Sequence, residues 1–326
     1  VNKADAYDAA IWDSNNRQIL LNAVRASQRA PMSFVGLGDV SASPVFSGST
    51  NGTFNLSPSA LTGYSLNPTV SYGGGFTSFQ MNNLNHVQFA STMHQPLSRK
   101  IVDYFNSEKW PEEVVQRILF QRVELTPAEY TKARSMKDLK CRESDPRTME
   151  ICRQIAEDEY LQDHSEFNCP PPRLSKGRYE FVNSAREFCS MNQFQILLRT
   201  YRLLGYEFKS TYMRSAEGIL YFLGELIAAQ NYSAQGYEPK VLLGGPDGHH
   251  HLVNLFVVRR GNPGPPVAAV QVNFNGEDFF IPRPQLGALD EDRSLQVLDL
   301  AATAIVLATL KEDLPKSSNI NLVSAR

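Results

Sequence analysis

Two hydrophobic periods divide the chain. In "ADAYDAAIWDSNNRQILLNAVRAS" Trp12, Ile19, Ala23 and Ala26 recur at helical spacing with Leu20 and Val24 beside them, which predicts an N-terminal helix closed by Pro31. From Val40 the period becomes two: Val40, Ala42, Pro44, Phe46, Gly48, Thr50, Gly52, Phe54 and Leu56 alternate with Ser41, Ser43, Val45, Ser47, Ser49, Asn51, Thr53, Asn55 and Ser57. After "SPSALTG" it restarts, with Leu66, Pro68, Val70, Tyr72, Gly74 and Phe76 against Ser65, Asn67, Thr69, Ser71, Gly73, Gly75 and Thr77. Period two predicts strands, here one of about 17 residues and one of about 13, paired as a long hairpin with one apolar or small face and one hydroxyl- and amide-rich face.

Beyond the hairpin the helical period returns. "LSRKIVDYFNSEKW" predicts a short amphipathic helix with Ile101, Val102 and Phe105 inward. "WPEEVVQRILFQRVEL" starts a second, where Pro111 suits the first turn and Glu112 and Glu113 suit its positive end. "TPAEYTKARSMKDLK" opens with capping-box spacing, Thr126 to Glu129. The polar region from Cys141 to Cys189, broken by "CPPPR", predicts an elaborated surface insertion. Helices follow over "QFQILLRTYRLLG", stopped by Gly205, over "SAEGILYFLGELIAAQ" and over Ser294–Leu310. Strands are expected at "YEFKSTYM", "HLVNLFVVRR" and "NINLVSA", with a hairpin turning on Asn275-Gly276. The fold class is α+β: an N-terminal helix (1–30), an extended amphipathic β-hairpin arm (31–98), a helical region with a Cys-bearing insertion (99–189), and an α+β domain with a mixed or antiparallel sheet and two or three helices (190–326).

Charge sharpens the reading of the arm. Between Pro31 and Ser98 the only charged side chain is Asp39, in a chain that is 20% charged overall. A charge on a lipid-facing position of a membrane strand costs about 2–4 kcal/mol at the midplane, and such a strand needs about 9–11 residues, so the missing charges have a motive if one face meets lipid and the other water. One hairpin leaves backbone groups unpaired in hydrocarbon, so several protomers would have to close a common barrel. Two other readings stand beside this one: a soluble arm that pairs with neighbours in a ring, and a loose linker or locally folded sheet, which Pro44 and Pro68 favour because they interrupt ladders.

The net charge of −2 gives no basic footprint for nucleic acid. No apolar run reaches the length of a transmembrane helix; Leu298–Leu310 predicts a buried one. The chain starts at Val1 with no signal peptide, which a processed or a trimmed chain would explain. Cys141, Cys152, Cys169 and Cys189 include no C-x-x-C pair, so disulfides in an oxidising compartment are expected rather than zinc. The turn-forming "RESDPRTMEI" favours nearest-neighbour pairing, Cys141–Cys152 and Cys169–Cys189, among three possible connectivities.

Candidate chemistry is thin. Of His249, His250 and His251 only the first and third would share a strand face, and no carboxylate or Cys supports them. His86 and His94 read as surface or interface groups. "GLGDVSASPVFSG" lacks a phosphate-loop pattern, "FSGST" lacks a nucleophile elbow, and "EDEYLQDHSEF" lacks calcium-loop spacing. No catalytic residue, metal site or cofactor is expected.

"NRQILLNAVRASQRAPMSFVGLGDV" resembles the opening of a family of bacterial envelope proteins, often predicted lipoproteins, with an "LLLNIVR" helix and a "P-x-x-F" step into a low-charge stretch. "QPLSRKIVDYFNSEKWPEEVVQRILFQRVEL", "RSAEGILYFLGELI" (the family's "RS..gvl.yLGelv"), "VNFNGEDFFIP" and "DRSLQVLDLAATAIVLATL" resemble its later blocks. The resemblance implies an exported periplasmic or outer-membrane protein, anchored through a lipidated Cys before Val1, and transfers no catalytic residues. Together the readings give a non-enzymatic, homo-oligomeric envelope protein with a β-hairpin in a pore or ring, or alternatively a soluble periplasmic scaffold whose hairpin binds a protein partner.

Overall fold

The computed structural model describes residues 3–42, 54–56, 77–83, 87–142, 145–164, 169–205, 210–231, 238–244, 250–263, 267–285 and 292–309. The elements are, in chain order, α1 (Lys3–Ser27), β1 (Val35–Ala42), β2 (Phe54–Leu56), β3 (Thr77–Asn83), α2 (Val87–His94), α3 (Arg99–Ser107), α4 (Glu112–Leu119), β4 (Phe120–Leu125), α5 (Pro127–Lys140) and α6 (Pro146–Asp163). They continue with β5 (Arg173–Ser175), β6 (Arg178–Val182), α7 (Phe188–Leu204), β7 (Thr211–Met213), α8 (Ala216–Asn231), β8 (Lys240–Gly244), β9 (His250–Asn254), β10 (Arg259–Arg260), β11 (Ala268–Phe274), β12 (Glu277–Pro282) and α9 (Ser294–Thr309). All strand pairs within the sheets are antiparallel, so the chain is α+β. It divides into two units, Val1–Met32 with Ser91–Arg326, and Ser33–Ala90.

In the larger unit the second half of α1 is core. Ile19, Leu20, Ala23 and Val24 are buried, and α1 packs on α8, α9 and β11. The N-terminal helix therefore belongs to the same body as the C-terminal elements. Trp12, expected on the inner face, stays half exposed. The approach to α8 is close because small residues meet: a Cβ on Gly224 would stand 2.7 Å from Ala26 Cβ and 2.8 Å from Ser27 N.

A four-stranded sheet, β5-β6-β4-β7, forms the other layer. Its inner positions include Val123, Leu125 and Phe181, all buried, and Tyr130 of α5 packs on Tyr179 at 4.4 Å between ring centroids. The predicted capping box starts α5, with Glu129 N donating to Thr126 Oγ1 and Thr126 N to Glu129 Oε2.

Several expectations need correction. The helix from Pro111 ends at Leu119 and the chain runs directly into β4, because Phe120 to Leu125 alternates buried and partly exposed positions. The Cys141–Cys189 region is no surface insertion. It supplies α6, whose Ile155 and Asp158 are buried, and the hairpin β5–β6, which extends the sheet. Within "HLVNLFVVRR" the buried run Leu255–Val258 separates β9 from β10. Side chains satisfy part of its backbone: Val257 N donates to Ser294 Oγ at 2.7 Å and Val258 N to Gln230 Oε1 at 3.1 Å. The predicted terminal strand lies outside the described residues, as does the first half of "YEFKSTYM"; its second half supplies β7.

Candidate functional site

The charge-poor unit is built on β1, which carries its one charged residue, Asp39. Its register sets Val40 opposite Leu56, Ser41 opposite Asn55 and Ala42 opposite Phe54 on β2. On its other side Val40, Ser41 and Ala42 pair with Phe79, Ser78 and Thr77 of β3. The expected single strand from Val40 to Ser57 is therefore two strands, and the chain reverses between Ala42 and Phe54. The predicted parity survives this reversal, since even positions pair with even positions. A register shift between Leu37 and Val40 adds one residue on β1, and the apolar positions change there from odd (Val35, Leu37) to even (Val40, Ala42). Among the described strands the order β2-β1-β3 leaves β3, "TSFQMNN", at an edge, and β3 has no charged residue.

Of the residues expected on the hairpin faces, Val40, Ala42, Phe54, Asn55 and Leu56 thus fall in one sheet. Phe46, Ser47, Ser49, Asn51, Thr53, Leu66, Asn67, Thr69, Val70, Ser71, Tyr72 and Phe76 lie outside the described residues, as do His86 and His249.

The cysteines form the nearest-neighbour pairs. Cys141–Cys152 closes the α5–α6 connection, and Cys169–Cys189 ties the segment before β5 to the first turn of α7. Disulfides belong to an oxidising, exported compartment.

The larger unit holds a buried polar hub that the sequence reading passed over. Arg214 Nη1 donates to the carbonyls of Arg117 and Ile118, both at 3.0 Å, and to that of Phe120. Its Nη2 donates to the Asn183 carbonyl at 2.7 Å, and its backbone N to the Leu119 carbonyl at 2.8 Å. Asn183 Nδ2 donates to the carbonyls of Arg117 and Phe120, at 2.7 and 2.9 Å. The terminal carbonyls of α4, orphaned by the turn into β4, thus find donors, and a cation faces the negative helix end. The Phe222 ring covers the guanidinium at 3.7 Å. Burial lowers the Arg214 pKa to about 9, which leaves it charged at neutral pH.

A second pair joins three elements. Arg199 Nη1 meets Asp158 Oδ2 at 2.6 Å, and Nη2 donates to the Leu242 carbonyl of β8 at 3.0 Å. Both side chains are buried, and burial raises the Asp158 pKa to about 6 despite the guanidiniums of Arg199 and Arg117. Beside this pair, Glu113, Gln116, Arg117, Gln195, Leu198, Arg199 and Arg202 line a cavity of about 10 Å³, room for a single water. A cleft of about 70 Å³ between α3 and the end of α9 is lined by Leu97, Ile101 and Leu307 with Thr92, Gln95 and Ser98 at its polar side. Among the described residues no three His, Cys, Asp or Glu side chains converge on a metal position. No described helix is long and apolar enough to cross a membrane. Comparisons with protein-family models, curated proteins and solved structures find no match.

Proposed function

We propose that the protein is a non-enzymatic bacterial envelope component that assembles with copies of itself through the charge-poor unit, each protomer adding strands to an outer-membrane ring or pore. The observation behind this reading is β3, an edge among the described strands: seven residues with no Pro and no charged side chain to discourage pairing. Soluble sheets ordinarily guard such edges, and an unguarded one is a template for another chain. The disulfides support an exported setting. A second reading is a soluble periplasmic scaffold whose strands pair only with a protein partner; the same charge-free strand β3 supports it, because strand addition works through backbone hydrogen bonds and needs no lipid.

Particle mass measured with and without detergent tests both. A multimer that needs detergent, with the 33–90 segment shielded from protease by the bilayer, supports the pore. A detergent-independent multimer supports the scaffold, and a soluble monomer overturns self-assembly.

A further inference from the structure

The strand β3 reads alike in both directions from Gln80. Phe79 and Met81 flank it as apolar residues, then come Ser78 and Asn82, then Thr77 and Asn83, all polar. The register fixes which sheet face each belongs to. Phe79 is opposite Val40, and Met81 is opposite Leu37, so both fall in the row that also holds Leu56. Ser78 is opposite Ser41, and Gln80 and Asn82 follow it by alternation onto the polar row. One side of β3 is taken by β1, and among the described strands the other side is open.

Any added strand can supply backbone hydrogen bonds, so the residues facing each other across the seam decide which strand fits. A second β3, antiparallel and centred on Gln80, uses all 7 residues. It sets Phe79 against Met81 twice, Ser78 against Asn82 and Thr77 against Asn83, like with like at every position. Centred on Phe79 the strand would set Met81 against Thr77, and centred on Met81 it would set Phe79 against Asn83. A centre between residues would set the apolar row against the polar one. Charge points the same way. Near a twofold axis a charged residue stands close to its own copy, and like charges facing each other destabilise a sheet. Self-pairing therefore demands a strand without charge, which β3 is; a foreign strand makes no such demand. The alternative seam, β3 on β2 of the next copy in a rotational ring, fits less well. Both strands run antiparallel to β1 and hence parallel to each other, and β2 offers 3 residues.

We propose that β3 pairs with β3 of a second copy of this chain, antiparallel about a twofold axis at Gln80, and joins the two sheets into one. This rests on the scaffold reading, in which the strands pair only with protein, and it names that protein. The connectivity explains the choice of reading. Val35 is opposite Asn83, so both links to the larger unit leave the sheet at one end. The twofold axis puts the links of the two copies at opposite ends of the joined sheet. A membrane-crossing sheet would then carry links on both sides of the bilayer, whereas a soluble pair has no such conflict.

The test is cross-linking of single-cysteine variants of the full chain, without detergent, by a short bismaleimide. The native cysteines are all in disulfides and do not react. Gln80→Cys should give a covalent dimer, because position 80 faces its own copy. Thr77→Cys alone should give none, because the two copies of that position stand about 20 Å apart. Thr77→Cys co-expressed with Asn83→Cys should cross-link again, which also covers a failure of Gln80→Cys to fold. Charge supplies a second readout: Gln80→Glu and Gln80→Lys should each weaken pairing by up to about fivefold, and their mixture should restore it. A detergent-free multimer in which neither Gln80→Cys nor the 77/83 combination cross-links overturns this seam and leaves the scaffold reading standing. A multimer that forms only in detergent overturns the scaffold reading and the seam with it, and a soluble monomer overturns self-assembly altogether.

Discussion

Arg214 Nη2 lies 2.7 Å from the Asn183 carbonyl, and the two residues jointly terminate α4. Arg214 precedes α8 and Asn183 follows β6, so one guanidinium fastens two distant segments to the α4–β4 turn. Replacing it with Met would leave several buried carbonyls without donors. We expect Arg214→Met to lose about 3–5 kcal/mol in urea unfolding, as for breaking a buried charged network. Arg214→Lys should recover little, because a single ammonium cannot span carbonyls on both sides. A loss below about 1 kcal/mol in either variant would show that the hub is dispensable.

Gly224 offers a test in which two effects oppose. Alanine in a helix interior gains about 1 kcal/mol of propensity over glycine. At this position the new methyl would meet Ala26 Cβ at 2.7 Å, Ser27 N at 2.8 Å and Ala23 O at 2.9 Å, all on α1. Two of those contacts are with backbone atoms, which cannot swing aside, so overpacking of about 1–3 kcal/mol should outweigh the gain. The expected outcome is a lower melting temperature for Gly224→Ala, with α1 loosened first in hydrogen exchange. An unchanged or higher melting temperature would mean that α1 and α8 are not in this contact.

Asp158 sets a pH dependence whose sign is easily mistaken. Its folded pKa is raised, from 3.8 to about 6, chiefly because burial penalises the carboxylate more than Arg199 rewards it. The folded state therefore binds the proton more tightly than the unfolded chain, and this group adds stability as pH falls through 6 toward 4, at about 1.4 kcal/mol per unit of pKa elevation. Asp158→Asn removes the titration. The stability of the wild type relative to Asp158→Asn should rise between pH 7 and pH 4 in paired denaturation curves; a flat or falling difference would place the carboxylate's pKa at or below its ordinary value.

What the sequence made legible was local. The Thr126–Glu129 capping box, the Asn275-Gly276 turn and the Ile101, Val102 and Phe105 face each depend on neighbours a few residues apart, and each forms in the structure. Arg214 has no such signature: its partners are 31 to 97 residues away, and in the sequence it is one cation before a helix. α6 escaped notice because its core contacts include Asp158, which interrupts any apolar stripe. The two disulfide pairings were legible because short polar connections leave little choice. For the charge-poor unit the alternation was readable and the topology was not. An antiparallel pair in which even positions meet even positions has the same alternation as one long strand, so period alone cannot reveal a reversal.

That ambiguity can be settled chemically. Ala42 and Phe54 are directly opposite in the register. On a continuous strand they would lie about 40 Å apart. Paired cysteines at Ala42→Cys and Phe54→Cys should therefore oxidise to a third intrachain disulfide, read as the loss of two titratable thiols at unchanged monomer mass on non-reducing gels. The single variants should each keep one free thiol, which excludes exchange with Cys141, Cys152, Cys169 or Cys189. If both thiols of the double variant stay reactive, the reversal is wrong and the long hairpin returns. If the bond forms, the cross-linked protein adds a further discrimination. Its β3 edge is untouched, so assembly through that edge should persist, whereas assembly that requires the 40–57 segment to extend as one strand should fail.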